Sequence, residues 1–361
     1  MSVYLDHNAT SPPRPEVLDA AVPYLRAHWG NPASSHGAGR RPASAVDRAR
    51  QALAGWADAR PRDVCFTSGA TEANHAVLAG VQRPGRPRWL VSAVEHPSCT
   101  APALARGAET LPVDSAGVVA LDALADALDD DVAGVSILAA NNETGVLQPL
   151  PALHALCRAA GAWLHVDATQ ALGRVPAPTS WDLLTCSGHK AGGLKGAGAV
   201  LARPGIEWAP WFTGGDQERG QRAGTVNVPA VVGLGVVAGL PLPALAGLRV
   251  TLAHAAAELG LVVTAPGAPC LPNTLHLRMP GVPGETVAQA LDLEGVHVST
   301  GAACASGASK PSPVLAAMGL PATEGLRLSL GWSTTADQVD VALAALARVV
   351  PRVRTAFQES P

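Results

Sequence analysis

Charged residues are scarce in this 361-residue chain: they make up 15% of it, against 48% hydrophobic residues. This balance excludes a largely disordered protein, which would need high charge and few apolar residues. The formal net charge of -3 leaves no positive excess for direct binding of nucleic acid. No run of about 18 apolar residues is free of helix breakers, and residues 1–10 show no basic stretch before an apolar one. We therefore expect neither a membrane span nor a secretion signal.

The six cysteines are scattered, without a Cys-x-x-Cys pair. The spacing indicates neither a structural zinc site nor a disulfide framework. We expect no metal site and a reducing, cytoplasmic setting in which most cysteines are buried. Cys304 differs, because residues 301–309 are nine small residues with two glycines. Such a stretch predicts an exposed loop, where a cysteine is either a reactive thiol or an incidental residue.

Lysine is also rare: of 26 basic residues only three are lysines, Lys190, Lys195 and Lys310. Arginine cannot replace an amine that acts as a nucleophile, so each lysine is a candidate for that role or a chance survivor. Lys190 follows a predicted buried strand and is flanked by glycines, which predicts a partly desolvated amine with a lowered pKa. Lys195 and Lys310 are expected at the surface.

Short apolar runs alternate with helical segments over the first two thirds of the chain. Strands are predicted at residues 64–67, 88–91, 133–138, 163–166, 183–186 and 198–202, and helices at 71–78, 121–128 and 150–160. The alternation predicts an α/β fold with a mainly parallel sheet covered on both faces. Ligands bind such sheets at the carboxyl ends of the strands. At those ends the sequence places Thr71, His96, Asn142, Asp167, Gln170, Ser187, His189 and Lys190.

The pattern changes after about residue 240. A long connecting helix is predicted at residues 243–259, with the proline in its first turn, and further strands at 273–278 and 327–329. These elements predict a second, smaller α/β domain. We assign residues 15–245 to the large domain, and residues 1–14 and 246–361 to the small one.

Two motifs at predicted strand ends carry chemistry. Asp167 either pairs with a protonated ring nitrogen in the crevice or caps a following helix. The turn Ser68-Gly69-Ala70-Thr71-Glu72 opens a helix and could bind a phosphate with its backbone N–H groups, although many α/β turns look similar. No Walker or dinucleotide glycine pattern is present.

Together the motifs resemble those of the cysteine desulfurases, within the class V aminotransferase family. The resemblance runs over nearly the whole chain and rests on several motifs in the right order. They are YLDHNAT at 4–10, GNPAS at 30–34, FTSGATE at 66–72, EH at 95–96, NNETG at 141–145, HVDATQ at 165–170, SGHK at 187–190, ERGQRAGT at 218–225, Cys304, and RLS at 327–329.

The resemblance implies a fold-type I pyridoxal-phosphate transferase with a seven-stranded sheet, acting as a sulfurtransferase on L-cysteine. Lys190 would carry the cofactor, His96 would stack on its ring and assist proton transfer, and Cys304 would take the sulfur as a persulfide. The other cofactor contacts it implies are Ala70, Thr71, Asn142, Asp167, Gln170, Ser187, His189 and Thr225. The substrate contacts it implies are Asn8, Asn142 and Arg327.

The resemblance also implies partners. Thr225 resembles the residue that reaches the phosphate of a partner subunit, which predicts a homodimer. The length of the segment from Cys304 to Pro311 resembles the longer-loop group, so we expect sulfur transfer to an iron–sulfur scaffold or a tRNA-thiolating enzyme. Two departures are present: Asp216 stands where a third glycine is usual, and little chain follows the last predicted helix. Both lead us to expect altered contacts at the partner-facing loop and at the acceptor protein.

Two other functions remain open from the sequence. A selenocysteine lyase, or another class V lyase or transaminase, would keep the cofactor residues and change the chemistry. A non-catalytic relative would have lost part of the set Lys190, Asp167, His96 and Arg327, which is intact here.

Overall fold

The structure is a computed structural model that describes residues 2–301 and 311–358. Its strands are β1 (Val3–Tyr4), β2 (Val64–Thr67), β3 (Arg88–Ser92), β4 (Glu109–Leu111), β5 (Val132–Leu138), β6 (Trp163–Asp167), β7 (Leu183–Ser187), β8 (Gly198–Ala202), β9 (Val262–Val263), β10 (Thr274–Arg278), β11 (Val296–His297) and β12 (Gly325–Ser329). Its α-helices are α1 (Pro15–Arg26), α2 (Gly37–Trp56), α3 (Ala70–Gly80), α4 (Pro97–Leu104), α5 (Leu121–Ala127), α6 (Leu150–Ala159), α7 (Val228–Gly239), α8 (Ala246–Glu258), α9 (Gly284–Leu293), α10 (Pro313–Ala317) and α11 (Ala336–Gln358).

Seven strands form the main sheet, in the order β2-β8-β7-β6-β5-β3-β4. The five neighbouring strands β7, β6, β5, β3 and β4 pair in parallel, while β8 pairs antiparallel with both β7 and β2. Every residue of β2, β5, β7 and β8 is buried. Such continuous burial is typical of a parallel sheet covered by helices on both faces. The predicted α/β class and mainly parallel seven-stranded sheet are confirmed.

The central strands deliver polar residues to one edge of this sheet. β6 ends at Asp167 and β7 ends at Ser187, and the two strands are parallel neighbours. Their carboxyl ends therefore lie side by side, and the segments that follow them start from the same edge. Gln170 and Lys190 come from those two segments.

A second sheet, in the order β12-β10-β9, is antiparallel, and β1 pairs in parallel with β11. Val3 and Leu5 share a buried core with residues between Leu245 and Val353. A separate core runs from Val17 to Val237. The N-terminal segment therefore packs with the last third of the chain. The domain boundaries given above stay a prediction.

The long connecting helix begins later than the sequence predicted. α8 starts at Ala246, so Pro243 lies outside it rather than in its first turn. A tight turn precedes the helix, in which the N–H of Leu245 donates to the carbonyl of Pro243 at 3.1 Å. This turn directs the buried Leu245 side chain into the second core. The regular helical hydrogen bonds begin after it, with Arg249 donating to Leu245.

Within the described parts of the chain, no helix is long and apolar enough to cross a membrane. The same residues contain no group of three or more His, Cys, Asp or Glu placed to hold a metal ion.

Candidate active site

A cavity of about 650 Å³ opens at the carboxyl ends of the parallel strands. Its walls come from the N-terminal segment, the start of α3, the ends of β6 and β7, and β12. The predicted site residues that line it are Asn8, Ala70, Thr71, His96, Asn142, Asp167, Gln170, Ser187, His189, Lys190 and Arg327. Thr225 is not among its lining residues. Cys304 and Lys310 lie outside the described residues.

Lys190 lies in a short 3₁₀ turn, His189–Ala191, directly after β7. Its carbonyl accepts hydrogen bonds from Ser11 Oγ and Arg174 Nη2, both at 2.9 Å, which fix the backbone of the turn. Burial lowers the pKa of the Lys190 amine to about 8, and the nearby charge of Asp167 opposes this shift only in part. At pH 7 about a tenth of the amine is therefore neutral and nucleophilic, far more than for an ordinary lysine. Lys195 is exposed, as predicted.

Asp167 ends β6 with its carboxylate buried at the cavity. Its Oδ2 accepts from Asn74 Nδ2 and its Oδ1 from the N–H of Thr169, both at 2.9 Å. The bond to Thr169 is a local turn, because residues 168–175 contain no α-helix that Asp167 could cap. Asp167 therefore caps a turn and not an α-helix, and its pairing with a ring nitrogen stays a prediction. Hydrogen bonds to both oxygens fix the orientation of this carboxyl group, which is the type of group that pairs with a protonated ring nitrogen.

His96 is the N-cap of α4 and lines the same cavity. Its Nδ1 accepts from the backbone N–H of Ser98 at 3.1 Å and lies 2.8 Å from Ser98 Oγ. Burial and the positive charge of Lys190 lower the pKa of His96, so the ring is neutral near pH 7. A neutral imidazole fixed through Nδ1 presents Nε2 to the cavity.

The turn before α3 forms one end of the cavity. Ser68, Gly69, Ala70 and Thr71 line it, and the N–H of Ser68 donates to Glu72 Oε2 at 2.8 Å. Close packing requires glycine at position 198, because a Cβ there would lie 2.5 Å from the carbonyl carbon of Gly69. β8 therefore packs directly against the backbone of this turn. The helix N-terminus and its free N–H groups suit a phosphate.

Ser187 and His189 line the cavity at the end of β7, and one polar side-chain atom of each already has a partner within the protein. Ser187 Oγ donates to the carbonyl of Ala197 at 3.1 Å, and His189 Nδ1 lies 3.1 Å from Thr10 Oγ1. Burial, with the nearby positive charges, lowers the pKa of His189 to about 4. Its Nε2 remains available to a ligand.

The opposite end of the cavity carries a buried guanidinium. Arg327 Nη2 donates to Asp6 Oδ1 at 2.6 Å, and Nη1 donates to the carbonyl of Asn142 at 2.8 Å. Its Nε is buried with no hydrogen-bond partner among the described residues. Asn8 Nδ2 also donates to the carbonyl of Asn142, at 3.1 Å. An anionic group here would gain a charge-assisted bond that the guanidinium has not yet made.

Thr225 lies apart from these residues and is exposed. It follows Arg222, whose Nε donates to Glu72 Oε1 at 2.8 Å, so the segment is tied to the start of α3. Asp216 is also exposed. Two residues later Glu218 has a positive φ of 49° and is held by Arg50 through two bonds of 2.8 Å. The roles predicted for Thr225 and Asp216 toward a partner subunit stay predictions.

Sequence reasoning missed three residues that hold the site together: Asp6, Asn74 and Ser98. Asp6 stands in the YLDHNAT motif, yet its partner Arg327 is 321 residues away along the chain. Asn74 is fully buried on α3 among Ala73, Ala76 and Val77. A polar residue on the apolar face of a helix was the signal that could have identified it.

The donors and acceptors of the cavity fit pyridoxal phosphate. The amine of Lys190 suits its aldehyde, the carboxylate of Asp167 suits its ring nitrogen, and the helix N-terminus at Thr71 suits its phosphate. Its ring hydroxyl finds an acceptor in Gln170 Oε1, which is buried with no partner among the described residues, as is Thr169 Oγ1. Unpaired buried polar atoms at a cavity are typical of a ligand site.

Comparison with known proteins agrees with this geometry. Residues 3–342 match the family model of the class-V aminotransferases. The chain is 41% identical to a cysteine desulfurase of Frankia sp., over 99% of this chain and 94% of that protein, and 40% identical to one of Cereibacter sphaeroides, over 98% and 96%. Among solved structures, a NifS-like protein superposes with a TM-score of 0.90 at 32% identity, over 98% of this chain and 100% of that one. DndA from Streptomyces lividans superposes with a TM-score of 0.76 at 35% identity, over 89% and 97%.

Proposed function

The chain belongs to the class-V aminotransferase family, and on that premise we propose that it is a pyridoxal-phosphate-dependent cysteine desulfurase. It converts L-cysteine to L-alanine and passes the sulfur to a persulfide on Cys304. The observation that carries this is the buried amine of Lys190, with its pKa of about 8, in one cavity with Asp167 and Arg327. Relatives of about 40% identity named cysteine desulfurase support the choice of substrate.

When bound, pyridoxal phosphate supplies an electron sink for the substrate α-carbon. The chain supplies position and protons. Lys190 would hold the cofactor through its amine and would move a proton at the α-carbon. Asp167 would pair with the ring nitrogen, and His96 would contact the ring and offer Nε2 for proton transfer. Thr71, Ser187 and His189, with the N–H groups at Ala70, would hold the phosphate.

The substrate carboxylate binds at the guanidinium end of the cavity. Arg327 offers the buried Nε, which has no partner among the described residues, and a fixed fork that suits a carboxylate. The carbonyl of Asn142 accepts from Arg327 and Asn8, which fixes its backbone at the cavity, and its side chain would contact the substrate carboxylate and the ring hydroxyl. Asn8 holds this arrangement through its bonds to Asn142 and Thr274. Gln170 completes it at the ring hydroxyl.

Cys304, which lies outside the described residues, is the sulfur acceptor. Its thiolate forms a bond to the substrate sulfur as the bond between that sulfur and the substrate β-carbon breaks. The electron pair of the broken bond stays with the carbon, which takes a proton and leaves as alanine. Atoms and electrons balance without a further oxidant: a thiol and cysteine give a persulfide and alanine.

Mass spectrometry after treatment with L-cysteine tests this assignment. The peptide that contains Cys304 should gain one sulfur atom, and Cys304→Ser should abolish both this product and sulfide release. Cys270→Ser is the matched control, because Cys270 is the partly exposed cysteine of the described residues. If Cys304→Ser keeps full sulfide release, or the added sulfur appears at Cys270, the assignment is wrong. Turnover of selenocysteine but not cysteine would identify the selenocysteine lyase instead.

The active form is a homodimer in which Thr225 reaches the phosphate of the partner subunit. Its exposure, and its absence from the lining of its own cavity, support this role. Co-expression of Lys190→Ala and Thr225→Ala chains tests it, since each hybrid dimer then has one site with both native residues. The hybrids should be more active than either parent. Hybrids no more active than the Thr225→Ala parent would rule the role out.

The sulfur goes to an iron–sulfur scaffold or a tRNA-thiolating enzyme in the cytoplasm. The longer-loop resemblance around Cys304 supports direct protein-to-protein transfer. Labelled sulfur loaded on the protein should move to a purified acceptor of one class and not of the other. Release only as free sulfide in the presence of both acceptors would exclude direct transfer.

A further inference from the structure

We propose that Asn74 is a positioning residue that joins Asp167 and His96 into one hydrogen-bonded unit with a fixed direction of proton donation. This rests on the proposed function, because the two residues matter through the cofactor ring that they contact. Asn74 itself is fully buried on α3 and does not line the cavity, so it cannot contact a ligand there.

The two hydrogens of the Asn74 amide go to two different partners. Nδ2 donates to Asp167 Oδ2 and to Ser98 Oγ, both at 2.9 Å. Asp167 belongs to β6 and Ser98 to α4. One side chain of α3 therefore holds the carboxylate expected at the ring nitrogen and the serine that holds His96.

The orientation of this amide is set by its partners. Thr185 Oγ1 lies 2.5 Å from Asn74 Oδ1 and donates to it. A flipped amide would place its oxygen against the Asp167 carboxylate, which has no proton to give. Because Thr185 donates to Asn74, it accepts at 3.1 Å from Nε2 of His165, whose Nδ1 accepts from Ser136. Burial lowers the pKa of His165 to about 4, so this histidine is neutral and can donate through Nε2 while it accepts through Nδ1.

The same logic fixes the tautomer of His96. Ser98 Oγ receives a hydrogen from Asn74, so its own hydrogen is free for His96 Nδ1 at 2.8 Å. The backbone N–H of Ser98, which can only donate, points to the same nitrogen at 3.1 Å. Nδ1 is therefore an acceptor, and the neutral ring carries its hydrogen on Nε2. His96 faces the cavity as a hydrogen-bond donor.

A buried substitution can also act by loosening the fold, so the test needs a control for stability. Val77→Ala removes a fully buried side chain from the same helix without touching a polar group. Asn74→Ala and Val77→Ala should both destabilise the protein, whereas only Asn74→Ala should change the site. Thr185→Val is a second route if Asn74→Ala does not fold, because it removes the hydroxyl that orients the amide and keeps the side-chain shape.

The first readout uses the cofactor-free protein. Nitrogen-15 NMR of labelled histidine, assigned with His96→Gln, should show the Nε2–H tautomer of His96 in the native chain. In Asn74→Ala the hydroxyl of Ser98 loses the donor that directs its hydrogen toward Nδ1, although the backbone N–H of Ser98 still donates to that nitrogen. The hydroxyl can then accept more readily from a protonated Nδ1, so the pKa of His96 should rise. The charged groups that act on this ring, Lys190 and Asp167, are the same in both proteins.

A double-mutant cycle with Ser98→Ala shows whether the effect passes through Ser98. We expect Asn74→Ala to change nothing more in the titration of His96 once Ser98→Ala is present. Additive effects, or the same change in Val77→Ala, would overturn the proposal. The titration of His96 does not depend on cysteine turnover, so its result tests the role of Asn74 separately from the proposed function.

The second readout is the affinity for pyridoxal phosphate, which reports on Asp167. Loss of a hydrogen bond to a charged group corresponds to about 10-fold weaker binding or more. Asn74→Ala should show this loss, and Val77→Ala, which leaves the polar contacts of Asp167 intact, should not. An equal loss in Val77→Ala would reduce Asn74 to a packing residue and overturn the proposal.

Discussion

Asp6 and Arg327 meet at the end of the cavity opposite the turn before α3, with Oδ1 2.6 Å from Nη2, although one residue is near the N-terminus and the other is on β12. The guanidinium side chain is 4% exposed and the carboxylate 22%. The pair therefore neutralises a nearly buried cation where a substrate carboxylate is expected to bind. It also joins the N-terminal segment to the second sheet.

Asp6→Asn should lower the free energy of unfolding by about 2 kcal/mol, because it removes a hydrogen bond between charged groups and leaves the cation without this counter-charge. Urea denaturation of the cofactor-free protein measures the change. Asp292→Asn is the control, since Asp292 pairs with His297 at the surface, where both side chains are exposed. An Asp6→Asn variant as stable as the control would contradict this prediction.

The sequence predicted the central strands well because they are apolar runs bounded by glycine or polar residues. β2 and β8 have the predicted bounds, and β6 and β7 extend one residue further. The start of α8 was wrong because Leu245 turns into the second core, a tertiary contact that the local pattern does not contain.

The candidate site was predictable where residues follow strands, as Asp167 and Lys190 do. It was not predictable where the partner is distant in sequence, as for Asp6 with Arg327, or where a buried amide is read as an ordinary helix residue, as for Asn74. Pairing across hundreds of residues depends on the folded arrangement of whole elements. The local sequence pattern around each residue does not contain information about such distant pairs.

Covalent attachment of pyridoxal phosphate to Lys190 should accelerate as the pH rises and level off above about 8. Burial lowers the pKa of this amine, and only the neutral amine is a nucleophile. The rate of cofactor incorporation into cofactor-free protein measures the profile. Lys195→Arg should keep this profile, since arginine preserves the positive charge that the exposed Lys195 places at the cavity. Lys190→Arg should show no covalent attachment. A rate that is flat, or still rising toward pH 10.5, would contradict the lowered pKa.

Glu95 should make the protein less stable as the pH rises. Complete burial raises its pKa well above 4.5, and the charge of Asp167 adds to the effect. A carboxyl with a raised pKa in the folded state contributes stability that is present below its ordinary pKa and lost as the pH rises through the raised value. One oxygen accepts from the N–H of Leu138 at 2.6 Å, a bond that glutamine would keep.

The substitution Glu95→Gln should therefore stabilise the protein relative to the native chain, and more so at about pH 9 than at about pH 5. Urea denaturation at the two pH values measures the difference. Glu207→Gln, at an exposed position, should show the same pH dependence as the native chain. A Glu95→Gln variant whose relative stability is independent of pH would show that Glu95 is not held protonated.

Glu218 and Arg50 form a buried pair, joined by two bonds of 2.8 Å. Glu218 also accepts from the N–H of Phe66 at 2.8 Å, and Phe66 belongs to the strand that leads into the turn before α3. Glu218→Gln leaves a buried guanidinium without its charge partner, so it should lower the free energy of unfolding by about 3–5 kcal/mol. It should also weaken cofactor binding, because the strand before the turn loses an anchor.

Replacing both members of this pair by leucine should cost less than Glu218→Gln alone, because a buried ion pair that is removed completely leaves no uncompensated charge. Urea denaturation of the single and double variants measures this. Glu294→Gln is the control, since Glu294 pairs with the exposed Arg348 and its loss should cost less than about 1 kcal/mol. If Glu218→Gln costs no more than the control, the pair contributes no charge compensation. The support of the turn before α3 would then come from backbone packing such as that between Gly198 and Gly69.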